Sequence, residues 1–217
     1  MRLYHHAETI IEIVEEGGDA SYYRQLGKYL TDEAGKGIVD LVPTSTALSV
    51  VIDSQRLDYS ALDAIVRKFS FDGGPKASPS RLEIPVCYDK LLGLDLEDLS
   101  LQLGLTPEEI CGAHTGASYR VEMFGFIPGF AYLSGLPSEL ESSRKLSPRS
   151  SVPAGAVAIA GKQTAVYPSS SPGGWQIIGQ TPLKVIDFAL DDPFLIKLDM
   201  SIKFIPITLQ QFKAYHD

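Results

Sequence analysis

Apolar positions along the first 75 residues alternate between strand-like and helix-like spacing. Residues 9–15 are rich in β-branched side chains and predict a strand. Ser21 is placed to cap a short helix that carries Tyr22, Leu26, Tyr29 and Leu30 on one side. Residues 38–42 and 47–52 predict two strands turned at Pro43-Thr44-Ser45. Asp58 or Ser60 then caps a second helix. Its Leu62, Ile65, Val66 and Phe69 fall at i, i+3, i+4 and i+7, the spacing of a buried face. The order β-α-β-β-α predicts a small ferredoxin-like two-layer sandwich over residues 1–75, within an α+β chain.

The stretch 71–80 is rich in Gly, Pro and Ser and lacks periodicity, so it reads as a linker and hinge. A second domain, 81–217, opens with a predicted strand at 82–88. Leu96, Leu99 and Leu103 mark a helix. Thr106-Pro107-Glu108-Glu109 starts another: Thr106 as N-cap, Pro107 at the first helical position, Glu109 closing a capping box. The texture then changes. Residues 125–182 hold seven of the 14 prolines and eight of the 19 glycines. Between them lie short apolar runs at 156–160, 164–167, 176–178 and 184–186, with another at 202–207. Many short strands with Gly/Pro corners predict a β-barrel or sandwich.

Composition narrows the function. A net charge of −8, shared by both halves of the chain, lacks the basic excess that a nucleic-acid phosphate backbone requires. No apolar run approaches the ~20 residues of a membrane span, and the first residues lack a signal peptide's apolar core. Cytoplasm is the expected location. Cys87 and Cys111 form no metal-ligand spacing and are expected as reduced thiols; no metal site is expected. Gly155 and Gly161-Lys162 imitate a phosphate loop. Five residues separate the glycines where four are required, and Gln163 stands in place of Ser or Thr. Ser134 lacks the glycines of a nucleophile elbow.

Four ordered segments remain. The first is His114-Thr115-Gly116-Ala117-Ser118-Tyr119. The second is Gly125-Phe126-Ile127-Pro128-Gly129-Phe130-Ala131-Tyr132-Leu133. The third is Pro148-Arg149-Ser150-Ser151-Val152-Pro153-Ala154-Gly155. The fourth runs from Gln163-Thr164-Ala165-Val166-Tyr167-Pro168 through Ser171-Pro172-Gly173-Gly174-Trp175-Gln176 to Gly179-Gln180-Thr181-Pro182. This series resembles the KipI family, whose members are also called the B subunit of 5-oxoprolinase (PxpB) or the first subunit of allophanate hydrolase. Lys197-Leu198-Asp199 departs from it where a Gly-Asp turn is expected.

The resemblance implies a cyclophilin-like β-barrel for 81–217. It also implies one member of a complex that opens 5-oxoproline to glutamate with ATP, accompanied by Mg, as co-substrate. The partners so implied are a KipA-type sister chain (the C-type subunit of 5-oxoprolinase) and a lactam-utilisation-type chain (its A-type subunit). The alternative is a non-enzymatic inhibitor of a sensor histidine kinase. Under the first reading His114 moves a proton, the other possibility being a packed histidine at a helix end. Arg149 clamps a carboxylate or phosphate, or else forms a structural salt bridge. Lys162, with Arg144 and Lys145, adds positive charge. Gln163 and Tyr167 supply hydrogen bonds. Phe126 and Tyr132 form either a cleft wall or a rigid corner. Gly173 and Gly174 give a tight turn or close approach to a ligand, and Trp175 either stacks on a substrate or packs. His114, Arg149, Gln163, Tyr167 and Trp175 are expected around one cleft, in a chain that is inactive alone.

Overall fold

The computed structural model describes residues 1–73, 80–198 and 200–215. The chain divides into two compact units, Met1–Ser78 and Pro79–Asp217. Residues 74–79 of the expected linker, and Asp199 of the divergent turn, lie outside the described residues.

In the first unit, strands β1 (Arg2–Ala7), β2 (Ile10–Val14), β3 (Ile38–Pro43) and β4 (Leu48–Ile52) form an antiparallel sheet in the order β1-β2-β4-β3. Helices α1 (Ala20–Ala34) and α2 (Tyr59–Val66) share a core with it. Period-two alternation puts Ile11 and Ile13 of β2 and Leu48, Val50 and Ile52 of β4 on one face. The helices meet that face with Tyr23, Leu26, Leu30, Leu62 and Val66. The cap of α1 is Asp19, whose side chain accepts the Tyr22 N–H at 2.8 Å; Ser21 is instead buried inside the first turn. Asp19 wins because it precedes the helix, where a carboxylate can reach an unpaired amide. Asp58 caps α2 in the same way.

The second unit is built on a closed seven-stranded barrel. Its strands are β5 (Arg81–Cys87), β6 (Tyr119–Phe124), β7 (Ala131–Ser134), β9 (Ala156–Ala160), β10 (Gln163–Val166), β12 (Gln176–Gln180) and β13 (Ser201–Ile207). The order around the barrel is β10-β7-β6-β13-β5-β12-β9. All neighbours are antiparallel except β5 and β13, which run parallel in register from Arg81↔Ser201 to Cys87↔Ile207. A separate ribbon pairs β8 (Arg149–Val152) with β11 (Ser171–Gly173). Helices α3 (Leu96–Leu103), α4 (Pro107–Gly116) and α5 (Leu209–Ala214) complete the unit, and α4 carries the capping box of Thr106 and Glu109. Residues 184–186 make only an isolated bridge, Ile186 to Phe194, in place of the predicted strand.

Two apolar clusters lie on opposite faces of the barrel wall. Val157 and Ile159 of β9 and Val166 of β10 join Val121, Leu133, Ile178 and Phe204 inside. Ala156, Ala158 and Ala160, with Ala165 of β10, face outward into a second cluster with Phe130, Tyr167 and Trp175. Every residue of β9 is therefore buried, which explains why it reads as an unbroken apolar run.

Candidate functional site

His114 stands at the end of α4 and is wholly buried. Its ring stacks on Phe204 at 4.6 Å between centroids. Nδ1 lies 2.7 Å from the Tyr88 hydroxyl and Nε2 lies 3.0 Å from Thr164 Oγ1. The Thr164 hydroxyl donates to the Ala158 carbonyl at 3.0 Å, so it is left to accept from Nε2–H. Nδ1 then accepts from Tyr88. The network assigns a neutral Nε2–H tautomer. Burial agrees, holding the imidazole pKa down at about 3. Burial also pushes the Tyr88 phenol well up. Both ring nitrogens are thus committed inside the barrel.

Arg149 is on the other side of the wall, in the ribbon. Its guanidinium forks onto Asp95, with both N–H···O distances at 2.7 Å. Lys145 adds a 2.6 Å bond to the same carboxylate, and the Ile177 amide donates at 2.7 Å. Asp95 precedes α3 without capping it. It is 1% exposed. Burial pushes its carboxyl up, but the bonds from Arg149, Lys145 and the Ile177 amide outweigh this and hold it below its usual value. Asp95 is not legible in the sequence as a functional residue; its only signal there is an acidic residue in a helix-start position.

Around this ion cluster lies the outer aromatic cluster. Trp175 packs edge-on to Phe130 (5.6 Å) and Tyr132 (5.8 Å), and the Arg144 guanidinium sits 5.9 Å over its ring. Tyr167 is buried, and its phenol is raised by burial against the opposing pull of the Trp175 backbone amide and the Arg144 and Arg149 charges. Gly173 lies under Tyr167: a Cβ there would come 2.3 Å from the phenol oxygen. This explains Gly173 as a packing glycine, without a ligand. Gly173→Ala should lower stability by about 1–3 kcal/mol through overpacking, read as a fall in the urea midpoint at unchanged slope. Gly174 instead accepts the Lys145 N–H at 2.7 Å. Gln163 donates to Glu122 at 3.0 Å. Lys162 is exposed at the β9–β10 turn.

Phe126 is 58% exposed and is held at φ +67, in a loop that also needs Gly129 at φ +81. That loop and residues 192–198 border an open groove of about 780 Å³, lined by Phe126, Ile127, Pro128, Phe194 and Leu198 among others.

The structure thus gathers Arg149, Tyr167, Gly173, Gly174, Trp175 and Tyr132 on the outer face of the barrel, with Gln163 on the same face of β10 and Phe126 at the border. It does not bring His114 to them. Thr164 and Ala165 alternate across β10, and His114 belongs with the inward residue. The expectation of one cleft shared by His114 and Arg149 fails for that reason. Among the described residues no group of three or more His, Cys, Asp or Glu side chains is placed to hold a metal. No helix among them is long and apolar enough to cross a membrane. Cys87 and Cys111 are free thiols.

The family described as "Carboxyltransferase domain, subdomain C and D" matches residues 6–196, and this chain belongs to it. Among its relatives, the B subunit of 5-oxoprolinase from Bacillus subtilis (strain 168) is 36% identical over 201 residues, covering 87% of this chain and 84% of that protein. The crystal structure of TTHA0988 is similar with a TM-score of 0.75 and 33% identity over 91% of this chain. The match spans only 39% of that longer protein. The Kluyveromyces lactis urea amidolyase shares the fold, with a TM-score of 0.79 and 17% identity over 98% of this chain and 15% of the enzyme.

Proposed function

We propose that this chain is the B-type subunit of an assembly that opens 5-oxoproline to glutamate at the expense of ATP, with Mg accompanying the nucleotide. The observation that carries the reading is the 36% identity, along 87% of the chain, to the Bacillus subtilis B subunit of 5-oxoprolinase. The partners in this reading are a KipA-type chain and a lactam-utilisation-type chain, the C-type and A-type members of the same assembly. The barrel corresponds to a cyclophilin-like domain. The first unit corresponds to a ferredoxin-like sandwich whose fourth strand position is filled by β1 from the N-terminal side.

The chemistry asks for a way to activate an amide. Transfer of the terminal phosphoryl group of ATP to the lactam oxygen releases ADP and opens the carbon to attack by water. The ring C–N bond then breaks with its nitrogen taking a proton, and phosphate leaves as the new carboxylate of glutamate forms. On this chain the half-buried cations of the outer face are suited to holding anionic oxygens. His114, sealed in the barrel with a pKa of about 3, is unsuited to carrying a proton near neutral pH. The proton-transfer group therefore falls to a partner subunit.

Co-expression with the two partner subunits, followed by measurement of glutamate formed from 5-oxoproline, tests this. Turnover should require ATP and all three chains. A reconstituted complex that forms but hydrolyses no 5-oxoproline would refute the reading. Turnover by this chain alone would show a complete site on it.

A further inference from the structure

Residues 142–149 form a strap across the barrel that carries three cations in a chain of net charge −8. The strap is tied down by backbone groups. The Gly161 amide donates to the Ser142 carbonyl at 2.6 Å, and the Lys145 amide donates to Gly174 at 2.7 Å. Gln176 Nε2 donates to the Ser143 carbonyl at 3.0 Å. Two of the strap's cations, Lys145 and Arg149, converge on one carboxylate, Asp95. The third, Arg144, lies over Trp175 with no carboxylate at salt-bridge distance among the described residues. The strap thus brings three cations, two of them sharing the single carboxylate of Asp95 and the third lying over Trp175.

The donor count matters more than the charge. Both oxygens of Asp95 are saturated by four N–H groups. An ammonium carries three donors and a guanidinium five. Lys145 gives one to Asp95 and Arg149 gives two, so each retains donors. Their side chains are each 26% exposed, so neither is sealed from solvent as Asp95 is. A buried carboxylate holding two cations fixes their positions before any ligand arrives, which lowers the ordering cost of binding.

The geometry points to an oxyanion subsite formed by Arg144, Lys145 and Arg149, positioned by Asp95 and flanked by the Trp175 ring, that takes the carboxylate or phosphoryl group of a small metabolite. The proposed function supplies only the choice of first ligand: the carboxylate of 5-oxoproline is the candidate, and a nucleotide phosphoryl group is the other source of the same chemistry.

Trp175 is the one tryptophan in the sequence, so intrinsic fluorescence reports on this site directly. The full-length chain would be titrated with 5-oxoproline, with 2-pyrrolidinone (the same lactam ring without its carboxylate) and with inorganic phosphate. Saturable quenching or enhancement is expected with 5-oxoproline or with phosphate, and none with 2-pyrrolidinone. Arg144→Gln and Lys145→Gln should each weaken the responding ligand at least tenfold while the protein stays folded by circular dichroism. Lys145→Arg should restore binding. Saturation by phosphate but not by 5-oxoproline, with the same dependence on cations, keeps the subsite and counts against 5-oxoproline as its ligand. The proposal is overturned if neither anion gives a saturable change, if 2-pyrrolidinone responds as strongly as 5-oxoproline, or if both Gln variants bind as well as the native chain.

Discussion

Acidification from about pH 6.5 to about pH 3 is expected to destabilise the barrel by up to about 5 kcal/mol through His114 alone. The imidazole is folded into a site where burial lowers its pKa from 6.5 to about 3. Between those values the unfolded chain binds a proton that the native chain refuses. Stability therefore rises with pH across this window and is complete above about pH 6.5. Replacing His114 with Gln keeps hydrogen-bonding groups near Tyr88 and Thr164 but removes the titration. His114→Gln should lose stability at neutral pH yet show a much flatter dependence between pH 6.5 and 3. Urea unfolding of both proteins at several pH values measures this. Equal slopes with pH in the two proteins would show that His114 titrates normally in the fold.

Asp95→Ala should cost about 3–5 kcal/mol, because two cations and the Ile177 amide lose their shared acceptor at once. The variant should melt well below the native chain, and added salt should recover part of the loss by screening the repulsion left between Lys145 and Arg149. The pH window of this contribution differs from that of His114. The folded Asp95 pKa is depressed, so its contribution is present above the unfolded carboxyl value. It is lost only as the pH falls further, through the folded value. A loss under 1 kcal/mol in thermal or urea unfolding would show that the cluster is loosely held.

The elements legible in the sequence are those whose signals are local. Thr106, Pro107 and Glu109 define the start of α4 within four residues, and the capping box is present. The spacing of Leu62 and Val66 marks the buried face of α2. Strand β1 carries no such signal. All but one of its residues are exposed, and it is held by main-chain pairing to β2. The ribbon of β8 and β11 is likewise too short and polar for periodicity to show it.

The site is legible in part for the same reason. Aromatic and glycine motifs mark Tyr132, Tyr167, Gly173 and Trp175 because their residue types are uncommon together. Asp95 has no such mark, because its partners are 50, 54 and 82 residues away in the chain. His114 stands out as a residue, but its face does not. Only the barrel's closure decides which side of β10 meets the end of α4.

The parallel pairing of β5 with β13 joins residues 81–87 to residues 201–207, and β13 lies between β6 and β5. During synthesis on the ribosome, β5 and β6 emerge early and wait for a neighbour made many residues later. Until then both present open hydrogen-bonding edges, the kind of surface that pairs with other chains. Closure must span a long loop, so barrel formation is slow relative to the local helices. A nascent chain stopped before Ser201 is expected to aggregate or to engage chaperones, whereas one extended past Ile207 completes the ring.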